Sequence, residues 1–479
     1  MAAAAAAATP AVAPVTEVWR GVVTPSAGAA GAADMTRITP NDAVAPPVYT
    51  RTLFIYADAA DAAPPAVAPD AELGRRLAAA VQTVVDAVPA LGGALELGEE
   101  RIVPVIAGGR GGARVVVATA AGRSAEVAAM EPDAGRDTGY AMPSYLWVEE
   151  ARDPLLALHV TRLDDGWVVG VSSHHTLMDG SGHFAVCAAV ADAMRGVPPT
   201  TPLCGDRAPL YATGTAGTSV PHPEYAVAVP HVSLATATRD GELSPVPPPA
   251  APPSLPPLTV RHLRMSAAGV AAAREAAAAE GLPRATTHDV VTALLWRAVS
   301  RARGLEPDAV TKVGYACNGR RRMTPPLPDG YVGNVNLWPC VRRPVRELLD
   351  GSWVATGAAV HAATDAVDDA FIRSSLEFIA AVPNKRTIQP AFAPFLSADL
   401  AVTNWSRFPM YDVDFGFGRP IAVRLPAAPM DGLAIVLPPL PRHADTDAVR
   451  ILFGLRSSQW PALAADAELA AYGIAVPPA

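Results

Sequence analysis

Hydrophobic residues along this chain follow two periods, and each period predicts a different kind of element. Over residues 71–88 they recur every three or four positions, which places them on one face of a helix with Asp70 as its N-cap. Residues 51–57, 155–163 and 167–173 are instead short runs rich in β-branched and aromatic side chains, which predict strands. An Asp-Asp-Gly turn separates the last two runs, so we predict that they form a hairpin.

The second half of the chain contains the same mixture of patterns. Residues 259–265 predict a strand, and the Ala-rich residues 267–280 predict a helix. Thr287 is predicted to cap a further helix that ends at Arg301. Helices and strands thus alternate in both halves, which indicates a mixed α/β architecture.

Proline divides the chain near its middle. Residues 244–257 contain eight prolines in fourteen positions, so this run can hold neither a helix nor an interior strand. We therefore predict an N-terminal α/β domain at 16–215, a Pro-rich crossover linker at 216–257 and a C-terminal α/β domain at 258–479. The Ala-rich residues 1–15 are predicted to be a disordered extension.

Composition restricts the class of protein. Apolar residues make up 50% of the 479 positions and charged residues 18%, which is enough apolar material for large cores. The 46 acidic residues outnumber the 38 Lys and Arg, and this argues against nucleic-acid binding, which needs a basic surface. No apolar run is long enough to span a membrane. The four cysteines form no CxxC pair, which predicts neither a zinc site nor a disulfide framework and indicates the reducing cytoplasm.

The strongest candidate chemistry follows the predicted hairpin. Its second strand leads into His174 and His175, then Asp179 and Gly180, and a helical pattern begins directly afterwards. Polar groups at the end of a strand are a common setting for an active site, and neutral histidine is a base near neutral pH. Taken alone, a pair of adjacent histidines is more often structural or incidental than catalytic. Together with His183 they match no diagnostic zinc spacing, so no metal site is predicted.

A second unusual segment lies in the second half of the chain. Residues 414–418 read Asp-Phe-Gly-Phe-Gly, and Pro420 follows two positions later. The glycines and the proline predict a rigid, turning loop with aromatic anchors. The Asp-Phe-Gly triplet also occurs in kinases, but no Gly-rich phosphate loop or kinase catalytic loop accompanies it here, which excludes a kinase.

Together the two segments resemble the BAHD acyltransferases, the acyl-CoA-dependent family of plants and fungi. The family's HxxxD motif corresponds to residues 175–179, and its DFGWG motif corresponds to residues 414–418. The resemblance covers the chain from Thr16 to its C-terminus, in the family's order. Further stretches similar to family sequences lie at 88–93, 286–296, 318–322, 325–328 and 331–334.

The resemblance implies a fold and a reaction. The fold is α/β, with two chloramphenicol-acetyltransferase-like domains of mixed sheets and helices that are joined by a long crossover loop and separated by a channel. Acyl-CoA enters the channel as a co-substrate from one face and a small-molecule acceptor enters from the other, with no permanently bound cofactor. His175 is then the general base that deprotonates the acceptor's OH or NH, which attacks the thioester directly in a ternary complex.

The other motif residues are implied to be structural or to contact substrate. Asp179 is implied to pair with Arg320 rather than to act in catalysis, although Asn318 replaces the acidic residue of the DxRxR pattern.

Phe417 replaces the tryptophan of the DFGWG motif and has no N–H to donate to an oxyanion, but its ring suffices for packing. Arg407 stands where relatives with carboxylate-bearing acceptors hold an arginine, and a surface role is the alternative. The further residues implied to be structural are Gly180, Asp414, Gly416 and Gly418. The candidate substrate contacts are His174, Trp405, Arg407 and Phe417.

Two other functions share parts of this pattern. A carrier-protein-dependent condensation enzyme also has an HHxxxDG sequence, here residues 174–180, but carrier or adenylation domains would be expected beside it. A catalytically silent binding protein on the same fold is the other alternative, which the intact His175 and Asp179 disfavour. We expect a cytoplasmic monomer. The sequence fixes neither the acyl group nor the acceptor.

Overall fold

The computed structural model describes residues 14–27, 38–58, 68–97, 102–105, 111–130, 140, 154–214, 217–227, 257–393, 397–426 and 430–477. The strands are β1 (Thr16–Val23), β2 (Tyr49–Ala57), β3 (Ala94–Leu97), β4 (Ile102–Val105), β5 (Ala113–Thr119), β6 (Leu156–Arg162), β7 (Gly166–His174), β8 (Tyr225–Val227), β9 (Leu258–Ser266), β10 (Val310–Tyr315), β11 (Cys317–Asn318), β12 (Asn336–Leu337), β13 (Cys340–Pro344), β14 (Ile388–Pro390), β15 (Leu400–Asn404), β16 (Ala422–Arg424), β17 (Leu433–Leu437), β18 (Asp447–Arg456) and β19 (Ile474–Ala475). The helices are α1 (Pro40–Val44), α2 (Ala71–Ala87), α3 (Ser124–Ala129), α4 (Gly180–Met194), α5 (Ala267–Ala279), α6 (Thr287–Ala302), α7 (Val345–Asp350), α8 (Trp353–Asp365), α9 (Asp369–Ala381), α10 (Trp460–Ala464) and α11 (Ala467–Ala471).

Two large mixed sheets organise these elements. The first has the strand order β1-β5-β6-β7-β2-β16, and the second has the order β13-β10-β15-β17-β18-β9-β19. Parallel pairs occur between β5 and β6, β10 and β15, and β15 and β17, while the neighbouring pairs are antiparallel. The predicted fold class, α/β with mixed sheets and helices, is confirmed.

Each sheet has a hydrophobic core of its own. Helices α2 and α4 cover one face of the first sheet, where the apolar stripe of α2 meets buried residues such as Phe54 and Phe184. In the second sheet, α6 lies against the strands, and its fully buried Trp296 donates its indole N–H to the Thr311 hydroxyl at 3.0 Å. Each core is covered by the apolar face of a helix, α2 in the first and α6 in the second, as the periodicity of the sequence predicts.

One strand crosses between the two halves of the chain. Strand β16 follows the DFGFG segment, yet it pairs antiparallel with β2, so that Val423 lies opposite Phe54. The short strand β8 similarly pairs with β14, which joins residues before the Pro-rich run to residues far beyond it. The first sheet is therefore completed by a strand from the second half of the chain.

Most of the predicted elements are present, with small corrections at helix ends. Helix α6 is capped by Thr286 rather than Thr287, because the Thr286 hydroxyl accepts from the Asp289 N–H and the Asp289 carboxylate accepts from the Thr286 N–H. The hairpin of β6 and β7 and the Asp70 cap are confirmed. Strand β1 was not predicted. The Ala-rich residues 1–13 and the Pro-rich residues 244–256 lie outside the described residues.

Candidate active site

His175 lies directly after β7, at the point where the sheet leads into α4. Its backbone N–H donates to the Val48 carbonyl at 2.8 Å, and the Leu177 N–H closes a turn on the His174 carbonyl at 3.0 Å. The side chain is half-buried and lines the large cavity described below. The imidazole is therefore held at the end of a rigid strand and faces open space.

Asp179 connects this turn to α4 and to the second half of the chain. It is the N-cap of α4, where its Oδ1 atom accepts from the Gly182 N–H at 3.0 Å. Its carboxylate also accepts two hydrogen bonds from Arg320, at 2.7 and 2.9 Å, and a third from the Val335 N–H. Both members of the ion pair are at least 98% buried. Asp179 is thus fully engaged by structural partners.

Asn318 stands where the family's DxRxR pattern has an acidic residue, and the ion pair between Asp179 and Arg320 is nevertheless intact. The Asn318 Oδ1 atom accepts from the Arg320 backbone N–H at 3.0 Å and from its guanidinium at 3.3 Å. The Asn318 amide also donates to the Ser181 hydroxyl near the start of α4. An amide oxygen here supports the arginine without adding a second negative charge to the site.

Burial lowers the pKa of His175 below its ordinary value of about 6.5. The backbone of His175, the negative charge of Asp179, the Asn334 side chain and the negative charge of Asp42 all favour the protonated ring, but they do not reverse the shift. Burial similarly lowers the pKa of His183 to about 3, and its neighbour His175 adds to this effect. Both histidines are therefore neutral at pH 7, and a neutral imidazole can accept a proton.

His183 belongs to the core rather than to the cavity. Its ring nitrogens meet the hydroxyls of Ser173 at 2.7 Å and Thr52 at 3.0 Å, and it is fully buried. Burial also raises the pKa of the nearby Cys187 thiol. These contacts account for the buried histidine without a ligand. Among the described residues, no group of three His, Cys, Asp or Glu side chains is arranged to hold a metal ion.

A cavity of about 1490 Å³ lies between the two sheets. Its wall comes from the start of β2 and of α4 in the first half, and from β15, β17 and β18 in the second half. Gly180 forms part of this wall, and a Cβ atom there would lie only 3.0 Å from the Phe408 ring. Space for a large, flexible ligand therefore reaches His175 between both halves of the chain. The aromatic lining residues are Tyr49, Phe184, Trp338, Phe392, Trp405 and Phe408.

Two of the four candidate substrate contacts line this cavity. Trp405 packs edge-on against Phe184 and donates its indole N–H to the Thr403 hydroxyl at 3.1 Å. Arg407 lies at the cavity wall with an exposed side chain, and no acidic residue in the described parts of the chain forms an ion pair with it. Arg407 is thus one of several cations, with Arg51, Arg321 and Lys385, at the wall of this cavity.

The other two candidates, His174 and Phe417, do not line this cavity. His174 is fully buried at the end of β7, where its Nδ1 atom accepts from the Thr176 N–H and Tyr49 meets its ring edge-on. Successive side chains of a strand point to opposite faces, so two adjacent histidines do not share one environment. Phe417 instead stacks on Trp167, with ring centroids 4.6 Å apart.

The DFGFG segment forms a compact loop away from the cavity. The Asp414 carboxylate accepts from the Gly416 and Gly418 N–H groups, both at 2.8 Å, and lies 3.8 Å from the Arg195 guanidinium. Both glycines have positive φ, 94° and 85°, a conformation that favours glycine. The described residues 414–418 therefore make a structural loop, and none of them lines the cavity.

Sequence reasoning missed a second buried ion pair beside His175. Asp42 and Arg207 pair at 3.1 Å, and Asn334 donates to the same carboxylate. A local signal existed, because Thr39 and Asp42 have the spacing of a capping box and form one at the start of α1. The pairing with Arg207 has no local signal, since the two residues are 165 positions apart.

Comparison with known proteins identifies the family to which this chain belongs. The chain matches the model of the Transferase family over residues 13–470. This chain belongs to that family, the BAHD acyltransferases. The BAHD relatives include hydroxycinnamoyltransferase 2 of Oryza sativa subsp. japonica, 34% identical over 291 residues, which are 60% of this chain and 63% of the relative.

A second BAHD relative is similarly close in sequence, and a solved structure shares the fold. Hydroxycinnamoyl-CoA:5-hydroxyanthranilate N-hydroxycinnamoyltransferase HHT4 of Avena sativa is 34% identical over 290 residues, 60% of this chain and 62% of the relative. The chain thus spans less than two thirds of the length of these relatives. F. graminearum TRI101, solved with coenzyme A and deoxynivalenol, superposes with a TM-score of 0.68 at 19% identity, covering 90% of this chain and 97% of that protein. At this identity the similarity shows the shared fold.

Proposed function

We propose that this protein is an acyl-CoA-dependent O- or N-acyltransferase that moves an acyl group from a CoA thioester to a small-molecule alcohol, phenol or amine. The observation that carries the proposal is the position of His175, a neutral histidine at the wall of a cavity that both halves of the chain enclose. Family membership supports the same reaction, because the relatives are named for hydroxycinnamoyl transfer.

In the proposed mechanism His175 takes the proton from the acceptor as its oxygen or nitrogen attacks the thioester carbonyl. The tetrahedral intermediate then expels the CoA thiolate, which receives the proton from the imidazolium. The new carbon–oxygen or carbon–nitrogen bond thus forms on attack, and the carbon–sulfur bond breaks when the intermediate collapses, so no protein nucleophile is needed. Burial supports the role of His175, because a lowered pKa keeps the base neutral below pH 7.

Asp179 and Arg320 act in this proposal as a structural pair. Every oxygen of the Asp179 carboxylate is used by Arg320, Gly182 or Val335, which leaves it poorly suited to hold the His175 ring. Phe417 stacks outside the cavity, so the negative charge on the tetrahedral intermediate must be met by another donor than the residue at this position.

Arg407 is the proposed contact for an acceptor carboxylate. Its guanidinium lies at the cavity wall, and the Avena sativa relative is named for 5-hydroxyanthranilate, an aromatic amine that carries a carboxylate. A planar guanidinium can bind such a group through two parallel hydrogen bonds. We therefore propose an aromatic acceptor of this type as the first to test, with Trp405 beside it.

The cellular setting is proposed from weaker observations. The four cysteines are free thiols, which fits a reducing compartment, and we propose a cytoplasmic monomer. In the described part of the chain no helix combines the length and hydropathy needed to cross a membrane. We also propose the division into domains at 16–215 and 258–479 with a linker at 216–257. The two large sheets support this division, although β16 from the second half completes the first sheet.

The test is release of free thiol from a hydroxycinnamoyl-CoA thioester. The acceptors are 5-hydroxyanthranilate, 4-aminophenol and a simple alcohol, and the product is identified by mass spectrometry. We expect thiol release that depends on an acceptor and equals the acylated product formed. Binding of the thioester without turnover would favour a silent binding protein. Turnover only from an acylated carrier protein would favour the condensation-type enzyme.

A further inference from the structure

Three consecutive backbone carbonyls after β7 are hydrogen-bonded from distant parts of the chain. The carbonyls of His175 and Thr176 accept from the Asn334 side-chain amide, at 2.9 and 3.1 Å. The Leu177 carbonyl accepts from the Arg207 guanidinium at 2.8 Å. The turn that presents His175 is therefore held by donors that belong neither to the turn nor to β7.

Both donors are themselves fixed by one carboxylate. Asp42 Oδ1 accepts from the Asn334 side-chain amide at 2.9 Å and from its backbone N–H at 3.1 Å, and Oδ2 accepts from Arg207 at 3.1 Å. The Thr39 N–H also donates to Oδ2, so α1 is anchored in the same network. Asp42 is fully buried, and Arg207 and Asn334 are 4% and 3% exposed. We call Asp42, Arg207 and Asn334 the carbonyl clamp.

We infer that the carbonyl clamp positions His175 for proton transfer, an inference that rests on the proposed role of His175 as the base. The clamp residues do not line the cavity, so they act through the turn and not through substrate. Proton transfer tolerates little displacement, and a shift of about 1 Å can lower the rate roughly 100-fold. A turn of three residues with its carbonyls pinned has little freedom to make such a shift.

The clamp also influences how readily His175 takes a proton. The titratable groups around the ring are Asp179 and His183 at α4 and Asp42 at α1, and Arg320 and Arg207 neutralise the two carboxylates. Burial lowers the pKa of His175, while the Asn334 side chain and the negative charge of Asp42 oppose that shift. Removal of either clamp group should therefore lower this pKa further. The acid limb of the kcat/KM profile would then move to lower pH, because the base stays neutral in more acidic solution.

The first test variant is Asn334→Ala, which leaves the Asp42–Arg207 pair in place and strands no charge. We expect kcat to fall roughly 10- to 100-fold. The KM for hydroxycinnamoyl-CoA should stay within about twofold, and the acid limb should move to lower pH. Asp42→Asn should move the limb in the same direction.

The matched control is Glu377→Ala. Glu377 is a buried carboxylate that accepts from the backbone N–H groups of Thr213 and Gly214, far along the chain from the turn. Its loss should lower the melting temperature but leave the pH limb where it is. An equal loss of kcat in Glu377→Ala and Asn334→Ala, with neither limb moved, would overturn the inference and make the clamp merely structural.

A second variant keeps the inference open to test if Asn334→Ala does not fold. Arg207→Lys retains the charge opposite Asp42 but lacks the planar fork that also reaches the Leu177 carbonyl. It should lose kcat to a smaller degree at unchanged donor KM, and wild-type kcat would contradict the clamp. His175→Ala separates the two proposals: if that variant is inactive while the clamp variants match wild type, only the clamp inference fails. An active His175→Ala would instead remove the proposed role of His175 as the base.

Discussion

The two short motifs of this chain differ in where they lie and in what holds them. The turn at residues 175–179 opens onto the cavity, and buried partners from both halves of the chain fix it. The loop at residues 414–418 is held by the Asp414 carboxylate and by the stacking of Phe417 on Trp167, and it does not reach the cavity. A conspicuous motif therefore need not be part of a site.

The loop at residues 414–418 connects the second half of the chain to the first sheet. The Tyr56 hydroxyl of β2 donates to the Val413 carbonyl at 2.7 Å, and the chain continues through the loop into β16, which completes the first sheet. Phe415 is buried in the core of that sheet. The loop thus delivers a strand from one half of the chain to the other, and this requirement explains its glycines and aromatic anchors.

The sharpest contrast is expected for His175→Ala. If His175 is the base, its loss should lower kcat by roughly 10²–10⁴-fold with the fold and donor binding retained. Thiol release and circular dichroism would measure both effects. The matched control is His174→Ala, which should cost stability rather than turnover per folded molecule. Near-normal turnover in folded His175→Ala would contradict the contrast between the two motifs.

Asp179→Asn should act through stability instead. It removes the charge opposite Arg320 at a buried site, and breaking such a pair costs about 3–5 kcal/mol. Urea denaturation should show this loss, and activity should fall with the folded fraction. The double variant Asp179→Asn/Arg320→Gln strands no charge and should recover part of the stability. An inactive Asp179→Asn of wild-type stability would make Asp179 a catalytic group.

Arg407→Ala tests whether the cavity wall selects acidic acceptors. A charge-assisted pair is worth about 1.5–3 kcal/mol, so kcat/KM for 5-hydroxyanthranilate should fall roughly 10- to 150-fold. The comparison acceptor is 4-aminophenol, which differs only by lacking the carboxylate and should be nearly indifferent. Arg407→Lys should rescue in part. An equal loss for both acceptors would assign Arg407 to support of the loop.

The smallest effect is expected for Phe417→Leu. The exchange keeps an apolar side chain but loses the stacking on Trp167, which is worth about 0.5–1.5 kcal/mol. We expect a small drop in melting temperature and unchanged KM values for donor and acceptor. The reverse change, Phe417→Trp, should leave kcat unaltered if this position has no part in oxyanion stabilisation. A marked rise in kcat would show that the indole N–H reaches the reaction centre.

The sequence predicted best those features that depend only on neighbouring residues in the chain. The strand leading to His175 and the loop glycines at 416 and 418 follow from periodicity and turn chemistry. Side-chain direction at His174 and Phe417 did not follow, because it depends on which strand face is covered and on a partner from a distant strand. The pairing of Asp42 with Arg207 is set only when the fold brings helix α1 and the distant segment around Arg207 together.

Strand β16 has a consequence for how this protein reaches its folded state. Until residue 424 has left the ribosome, the outer edge of β2 lacks its neighbour at Leu53, Phe54 and Ile55, all of which are apolar. An uncovered apolar strand edge is a template for pairing with another chain, and contacts between distant parts of a sequence form slowly. The nascent first half is therefore the stage at which this edge of β2 is open to pairing with another chain.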